Sequence, residues 1–349
     1  MWLGPHAVHG TANPGAASTD FDRALTQILV DYGVTRETGW PASEEHVGRG
    51  LLGERTGRPM AVLEGKTCVV TGATSGIGLV TAEHLGAMGA RLVLVGRDTA
   101  KGDAALLRVR RRAPRVQAEI HYADLARLED VRRLGTALTA ALPRVDVLVN
   151  NAGAIFRRRD VTRDGLERTY ALNHMAYFLL TALLTERLAA AAPSRIVNVA
   201  SEAHRGARLD FDDLQGTRHY NGWTAYRRSK LCNLLFTREL ARRLHGTGIT
   251  ANCLHPGFVA SGFGDNNDGA FRVALSIAKR LFAISEEKGA ATTVHLASSA
   301  EVQGTNGLYF KGCRPAFPSA AAQDDGAARR LWEESVRLAG LPPERGAAR

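Results

Sequence analysis

From Thr67 onward the chain alternates short apolar, β-branched runs with longer segments of helical period. The runs fall at 67–71, 91–95, 118–122, 145–150, 195–200, 250–255 and 308–310. Segments 77–88, 128–141, 163–190, 225–244 and 287–298 lie between them, each long enough to return the chain over a sheet and start the next strand in the same direction. Strands that are apolar along their whole length are covered on both faces. The alternation therefore predicts an α/β fold, a doubly wound parallel sheet of about seven strands with helices on both faces. It forms a single domain over 61–349. Residues 1–60, rich in Gly, Pro and Ala, offer only one amphipathic stretch at 21–32 and read as an N-terminal extension, partly disordered or with one helix.

Composition narrows the function classes. With 349 residues and 45% hydrophobic content the chain can bury a sizeable core. Its net charge of +10 belongs to the body, because residues 1–60 hold five basic and seven acidic side chains. The arginine runs at 110–112 and 157–159 are short and lack interleaved aromatics, so they read as a solvated face and not as a nucleic-acid surface. An acidic carrier protein bearing the substrate remains a partner that such a body would attract. Cys68, Cys232, Cys253 and Cys313 lie far apart with no CxxC pair and no matching His spacing, so no metal site is expected and the thiols read as reduced. The longest uncharged helical stretch, 169–185, contains Asn173 and His174 and falls short of a membrane span. Without a leader pattern, the expectation is a soluble, cytoplasmic protein.

The first run enters Gly72-Ala73-Thr74-Ser75-Gly76-Ile77-Gly78 and then a helix. A glycine-rich turn at a helix N-terminus lets backbone approach a pyrophosphate, and its free N–H groups and dipole favour negative charge. This is the phosphate end of a Rossmann-type sheet, with Gly72, Thr74, Ser75, Gly76, Ile77 and Gly78 as candidate contacts. At the end of the second run an NAD-binding chain would place a carboxylate for the ribose, whereas this chain reads Val95-Gly96-Arg97-Asp98. Arg97 suits a 2′-phosphate, which favours NADP. Asp124 and Leu125 follow the third run, where the carboxylate would meet the adenine amino group or simply cap a helix. Asn151, Ala152 and Gly153 close the fourth run, where small residues and an amide would border the adenosine ribose.

Tyr226 and Lys230 stand one helical turn apart on a shared face. A phenol with a pKa near 10 needs a shift of roughly three units to act near neutrality, about 4 kcal/mol, and an adjacent ammonium favours the phenolate. Ser201 ends the fifth run at the carboxyl edge, where open α/β sheets place their sites. Asn173, a poor helix former inside an apolar stretch, is expected to use its amide on backbone or water. His174 and His204 read as structural, since Tyr226 already supplies a proton donor.

In their order these motifs resemble the short-chain dehydrogenase/reductase superfamily over roughly residues 63–341. Leu172-Asn173-His174, Ser201-Glu202-Ala203-His204, the stretch from Ala225 to Asn233, His255-Pro256-Gly257 and the tail Ala328-Arg329-Arg330-Leu331-Trp332 are most similar to the retinol dehydrogenase and WW-domain oxidoreductase branch. The resemblance implies NADP(H), a carbonyl or alcohol substrate, and a catalytic tetrad of Asn173, Ser201, Tyr226 and Lys230. Lys230 and Tyr226 would also contact the cofactor, and Pro256, Gly257 and Val259 would border the nicotinamide. Related folds often form dimers, so a homodimer is an expected assembly. Ser201 lies 25 residues before Tyr226, which the resemblance attributes to an insertion at 205–223. Ala200 stands where the branch often carries a second Ser. Phe258 stands where protochlorophyllide reductase carries Cys, which weighs against that relative. The segment 259–285 mixes Gly-Asp-Asn-Asn with Phe271, Leu275 and Phe282, consistent with a lid over a bulky, lipophilic or secondary-metabolite substrate. The expected function is thus an NADP(H)-dependent ketoreductase or alcohol dehydrogenase. The alternative is a non-catalytic dinucleotide-binding sensor or scaffold.

Overall fold

The computed structural model describes residues 62–259 and 284–342. The extension 1–60 and nearly all of the expected lid lie outside these residues.

Eight strands form one sheet in the order β3-β2-β1-β4-β5-β6-β7-β8. They are β1 (Thr67–Thr71), β2 (Arg91–Gly96), β3 (Ala118–Tyr122), β4 (Val147–Asn150), β5 (Ser194–Val199), β6 (Ile249–His255), β7 (Tyr309–Lys311) and β8 (Arg314–Pro315). The first seven run parallel. The strand order reverses between β1 and β4, so the crevice of a doubly wound sheet opens at the carboxyl ends of these two strands. The helices are α1 (Gly76–Ala87), α2 (Thr99–Arg112), α3 (Leu128–Ala141), α4 (Arg168–Tyr170), α5 (Ala176–Ala189), α6 (Gly222–Arg243), α7 (Glu286–Ser298) and α8 (Asp325–Leu338). None of the described helices is long and apolar enough to cross a membrane.

The twofold alternation of the pleat splits the core into two layers. Val69, Val93, Leu148 and Ile196 face a cluster completed by α3, α5, α6 and α8. Cys68, Val70, Leu92, Leu94, Val149 and Leu254 face the other, under α1, α2 and α7. Because both layers are apolar, hydrophobicity alone would tolerate a slipped strand. A buried amide chain adds the constraint. Asn150 Nδ2 donates to Asn198 Oδ1 (2.9 Å) and Thr181 Oγ1 (3.0 Å), and Asn198 Nδ2 donates to Thr237 Oγ1 (2.9 Å). A slip of β4 against β5 would strand these groups at about 1–3 kcal/mol each.

Two departures from the sequence expectation have local causes. The helical segment read at 163–190 starts only at Arg168, because the Glu167 carboxylate accepts from the Thr169 and Tyr170 N–H groups (both 2.8 Å) and ends the preceding turn. The eighth strand, antiparallel to β7, follows a two-residue turn in which Gly312 (φ +58°) and Cys313 (φ +61°) both have positive φ. Such a turn matches the twist of a hairpin, but Cys is rarely found there, so the sequence carries a weak signal for it.

Candidate active site

The carboxyl edge of the sheet is tied together by Thr71. Its hydroxyl donates to the Val149 carbonyl (3.2 Å) and accepts from the backbone N–H groups of Asn151 (2.9 Å) and Ala152 (3.1 Å). Asn151 Nδ2 donates back to the carbonyls of Thr71 (2.9 Å) and Gly72 (3.3 Å). The Asn151 amide, read from sequence as a ribose contact, is thus spent on holding β1 to β4. Gly72 sits at φ +65°, and a Cβ there would lie 2.8 Å from Ala152 Cα. A Cβ on Gly78 would overlap the Gly72 carbonyl oxygen and Asn151 Nδ2.

Past this turn, Ser75 is the N-cap of α1, yet its side chain makes no capping bond, and no acidic residue occupies the first turn of the helix. The first turn of α1 therefore brings no carboxylate to its leading N–H groups, which fits an external anion such as a pyrophosphate. Thr74 approaches β2 so closely that a Cβ on Gly96 would overlap its methyl group. Arg97, the next residue, is exposed and makes no hydrogen bond or ion pair with any described residue. Its neighbour Asp98 caps α2 by accepting from the Lys101 N–H (3.0 Å). Asp124 spends one oxygen on the Ala126 N–H (3.2 Å) in a local turn ahead of α3, whose N-cap is Arg127, and leaves the other unassigned by that bond. Leu125 is buried in the core beneath α3, so only its backbone is placed to meet a ligand.

The catalytic candidates converge from three elements. Asn173 lies not in a regular helix but in a π-helical turn, Ala171–Met175, between α4 and α5. Such one-turn bulges often mark functional sites. Its Oδ1 accepts from Ala154 N (2.9 Å), while Nδ2 donates to the Ala154 carbonyl (2.9 Å) and Ser229 Oγ (2.9 Å), so the amide locks the loop after β4 to α6. Ser229 received no role from the sequence, although it sits beside Lys230. Tyr226 and Lys230 are both buried on one face of α6. The Tyr226 ring packs with Ile155 and Ala203 and stacks on Trp223 at 5.6 Å between centroids. Lys230 Nζ donates to the Val199 carbonyl (3.1 Å), lies 5.7 Å from the Tyr226 ring centroid, and stands 3.4 Å from where a Cβ on Gly153 would be. A Cβ on Gly153 would meet Asn173 Oδ1 more tightly, at 3.2 Å. Burial pushes the Lys230 ammonium down to about 7. The charge that the sequence reading gives it is therefore conditional on pH.

Ser201 follows β5 in extended backbone (φ −168°), and its Oγ accepts from the Ala203 N–H at 3.2 Å. The hydroxyl hydrogen stays available to a substrate oxygen. The two histidines are occupied elsewhere. His204 Nε2 accepts from the Ser319 N–H (3.1 Å), which leaves Nδ1 as the donor to the Ser201 carbonyl (2.6 Å). His174 pairs with Ser335 Oγ (2.8 Å), and burial holds it at about 3.

The insertion after Ser201 is pinned by Tyr220, whose hydroxyl lies 2.9 Å from both the Phe156 carbonyl and Glu167 Oε1. Gly222, at the start of α6, has no room for a Cβ against the Phe156 carbonyl, a requirement the sequence did not signal. On the nicotinamide side, Gly257 (φ +92°) packs where a Cβ would lie 2.5 Å from Ile284 Cδ1. Val259 bridges to Ile284, and its methyls come within 2.6 Å of where a Cβ on Gly289 would be. Gly257 is thus packed against Ile284, and Val259 against Ile284 and α7.

Comparison with known proteins agrees with this geometry. The sequence pattern described as short chain dehydrogenase matches residues 66–269. Human retinol dehydrogenase 13 is 40% identical over 286 residues, covering 80% of this chain and 86% of that protein. Human retinol dehydrogenase 14 is 39% identical over 318 residues, covering 86% and 94%. Among solved structures, an uncharacterised protein from Mycobacterium paratuberculosis superposes with a TM-score of 0.64 at 34% identity, covering 80% of this chain and 94% of that one.

Proposed function

The chain belongs to the short-chain dehydrogenase family, and from that premise we propose that it is an NADP(H)-dependent enzyme interconverting a lipophilic alcohol and its carbonyl, with Tyr226 as acid and base. At the coarser level it is a carbonyl/alcohol oxidoreductase of a family that uses a nicotinamide dinucleotide. One observation carries the mechanism: Tyr226 and Lys230 are buried one turn apart in α6, with Lys230 bonded to the end of the strand that delivers Ser201.

The dinucleotide, when bound, supplies or accepts the hydride. Gly72, Thr74, Ser75, Gly76, Ile77 and Gly78 would hold its pyrophosphate, and Arg97 its 2′-phosphate. Asp124, the Leu125 backbone, Ala152 and Gly153 would border the adenosine, and Pro256, Gly257 and Val259 the nicotinamide. Ser201 donates its hydroxyl hydrogen to the substrate oxygen and fixes the carbonyl. In reduction the Tyr226 phenol gives its proton to that oxygen, and in oxidation it takes the proton back. Lys230, when charged, favours the phenolate and offers its remaining hydrogens to the ribose. Asn173 keeps the loop at Ala154 against α6, so Gly153 and Lys230 stay in register.

The free guanidinium of Arg97 supports NADP over NAD, and similarity to retinol dehydrogenases supports a bulky apolar alcohol such as retinol. The test is NADPH and NADH oxidation by purified protein against a panel of aliphatic, aromatic and polyene aldehydes and ketones, with retinol and NADP⁺ in reverse. Turnover with the apolar members is expected. Cofactor binding without turnover on any of them would favour the binding-only alternative.

A further inference from the structure

Immediately after Ser201, Glu202 is buried although it carries a carboxylate. Three donors from two parts of the chain meet it. The Tyr309 hydroxyl donates to Oε1 (2.6 Å), and Lys311 Nζ and Arg205 Nε donate to Oε2 (3.2 Å each). Tyr309 and Lys311 alternate with Phe310 along β7, so both point to one side of the strand while Phe310 enters the opposite core layer. The Glu202 N–H donates to His255 Nδ1 (3.2 Å), at the end of β6 just before Pro256. The Tyr309 ring meets the His204 ring edge-on at 5.3 Å, and His204 holds the Ser201 carbonyl. Burial alone would raise the carboxyl, but the Tyr309 hydrogen bond and the Lys311 charge outweigh it and hold Glu202 at about 2.

We propose that Glu202 is a positioning residue that, through Tyr309 and Lys311 of β7, fixes the loop carrying Ser201 so that the Ser201 hydroxyl meets the substrate oxygen. The inference rests on the reading of Ser201 and Tyr226 given above. Among the described residues, the Ser201 Oγ accepts from the Ala203 N–H (3.2 Å) and its carbonyl from the His204 N–H and Nδ1, all within the one-turn 3-10 segment that it caps, Glu202–His204. The turn is also tied to α6, where Arg227 Nε donates to the Ala203 carbonyl (3.3 Å) and Ala203 packs on Tyr226, and to the loop before α8, where the Ser319 N–H donates to His204 Nε2 (3.1 Å). The Glu202 carboxylate joins it to the sheet and, through the His255 contact, to the strand that ends at Pro256 and Gly257. Loss of the clamp would remove the tie of the turn to β7 and let its Ser201 end shift, while Lys230 keeps its bond to the Val199 carbonyl at the end of β5.

Tyr309→Phe removes one hydroxyl and leaves the carboxylate with two cationic partners, so it is the primary variant. Glu202→Ala is the stronger one. Both are assayed with NADPH and the aldehyde of the panel that the wild-type chain turns over best, alone and combined with Ser201→Ala, with NADPH affinity measured by fluorescence titration. Tyr309→Phe is expected to lower kcat about three- to tenfold. NADPH affinity should stay within about twofold, and the effect should shrink to less than about twofold in the Ser201→Ala background. An equal loss with and without Ser201 would show a merely structural role and overturn the proposal, as would unchanged kcat in Tyr309→Phe. Tyr226→Phe separates the two levels: if Tyr226→Phe and Ser201→Ala abolish turnover but Tyr309→Phe does not, only the clamp falls. If Tyr226→Phe keeps turnover, the reaction reading falls and the clamp with it.

Discussion

Lys230 Nζ lies 3.1 Å from the Val199 carbonyl, two residues before Ser201 on the same chain segment. With the Asn198–Thr237 bond, this contact holds α6 against the end of β5, and with it the approach of the two functional side chains. It also leaves a cation in a buried place, where Asn233 Nδ2 shares the same carbonyl at 3.4 Å. The linkage has a consequence for stability.

Folding takes Lys230 from an ordinary value of 10.5 to about 7. Between these values the unfolded chain binds more protons than the folded one, so this group makes stability rise with pH over that window, by at most about 1.4 kcal/mol per pH unit, and the gain is lost progressively as pH falls from 10.5 to about 7. In the cofactor-free protein, Lys230→Met should remove this contribution. Thermal melts of the two proteins are expected to show the variant ahead at pH 7 and its lead shrinking toward pH 10. A constant difference across that range would contradict the depressed ammonium.

Tyr226→Phe is expected to keep NADPH binding and lose turnover by about 100-fold or more, the scale of general acid catalysis. Ser201→Ala should also spare binding. Combining the two should cost little beyond Tyr226→Phe alone, since the residues act as one unit. Steady-state kinetics of the three variants, with parallel cofactor titration, decides the matter.

Arg97→Ala tests cofactor choice. Its guanidinium is uncommitted among the described residues, so the substitution should leave stability unchanged. It should weaken NADPH binding about tenfold, the scale of one charge-assisted hydrogen bond, and leave NADH binding as it was. Equal affinities for the two cofactors in the wild-type chain would remove the assignment.

Gly78→Ala probes the phosphate turn. The added methyl has no space against the Gly72 carbonyl and Asn151 Nδ2, so the β1–α1 turn must open, at about 1–3 kcal/mol. Dinucleotide affinity should fall sharply, while far-ultraviolet circular dichroism stays that of the wild type. Binding at wild-type strength would place the pyrophosphate elsewhere.

Removal of residues 1–60 should leave a soluble protein that binds NADPH, because the first strand begins at Thr67 and the family pattern at residue 66. Expression of 61–349 with cofactor titration checks this. An insoluble product would show that the extension completes the fold.

The strands were legible because a fully covered parallel sheet writes continuous apolar runs into the sequence. The bounds 67–71 and 118–122 coincide with β1 and β3. The glycine turn and the Tyr226–Lys230 pair were legible for the same local reason, since each is defined by positions within one turn or one helix face. The sequence by itself therefore determined the parallel sheet and the order of motifs along it. What it could not determine were relations between residues remote in the chain, whose partners are chosen only when the sheet closes. Asn151 read from sequence as a ribose contact, and the fold adds a second task for its amide, holding the carbonyls of Thr71 and Gly72, 80 and 79 residues away. Glu202 stood in the sequence only as part of a short motif, and the tertiary structure buries it against Tyr309, 107 residues later. The cost of leaving a buried carboxylate or amide unpaired selects these partners, and that cost exists only in the folded interior.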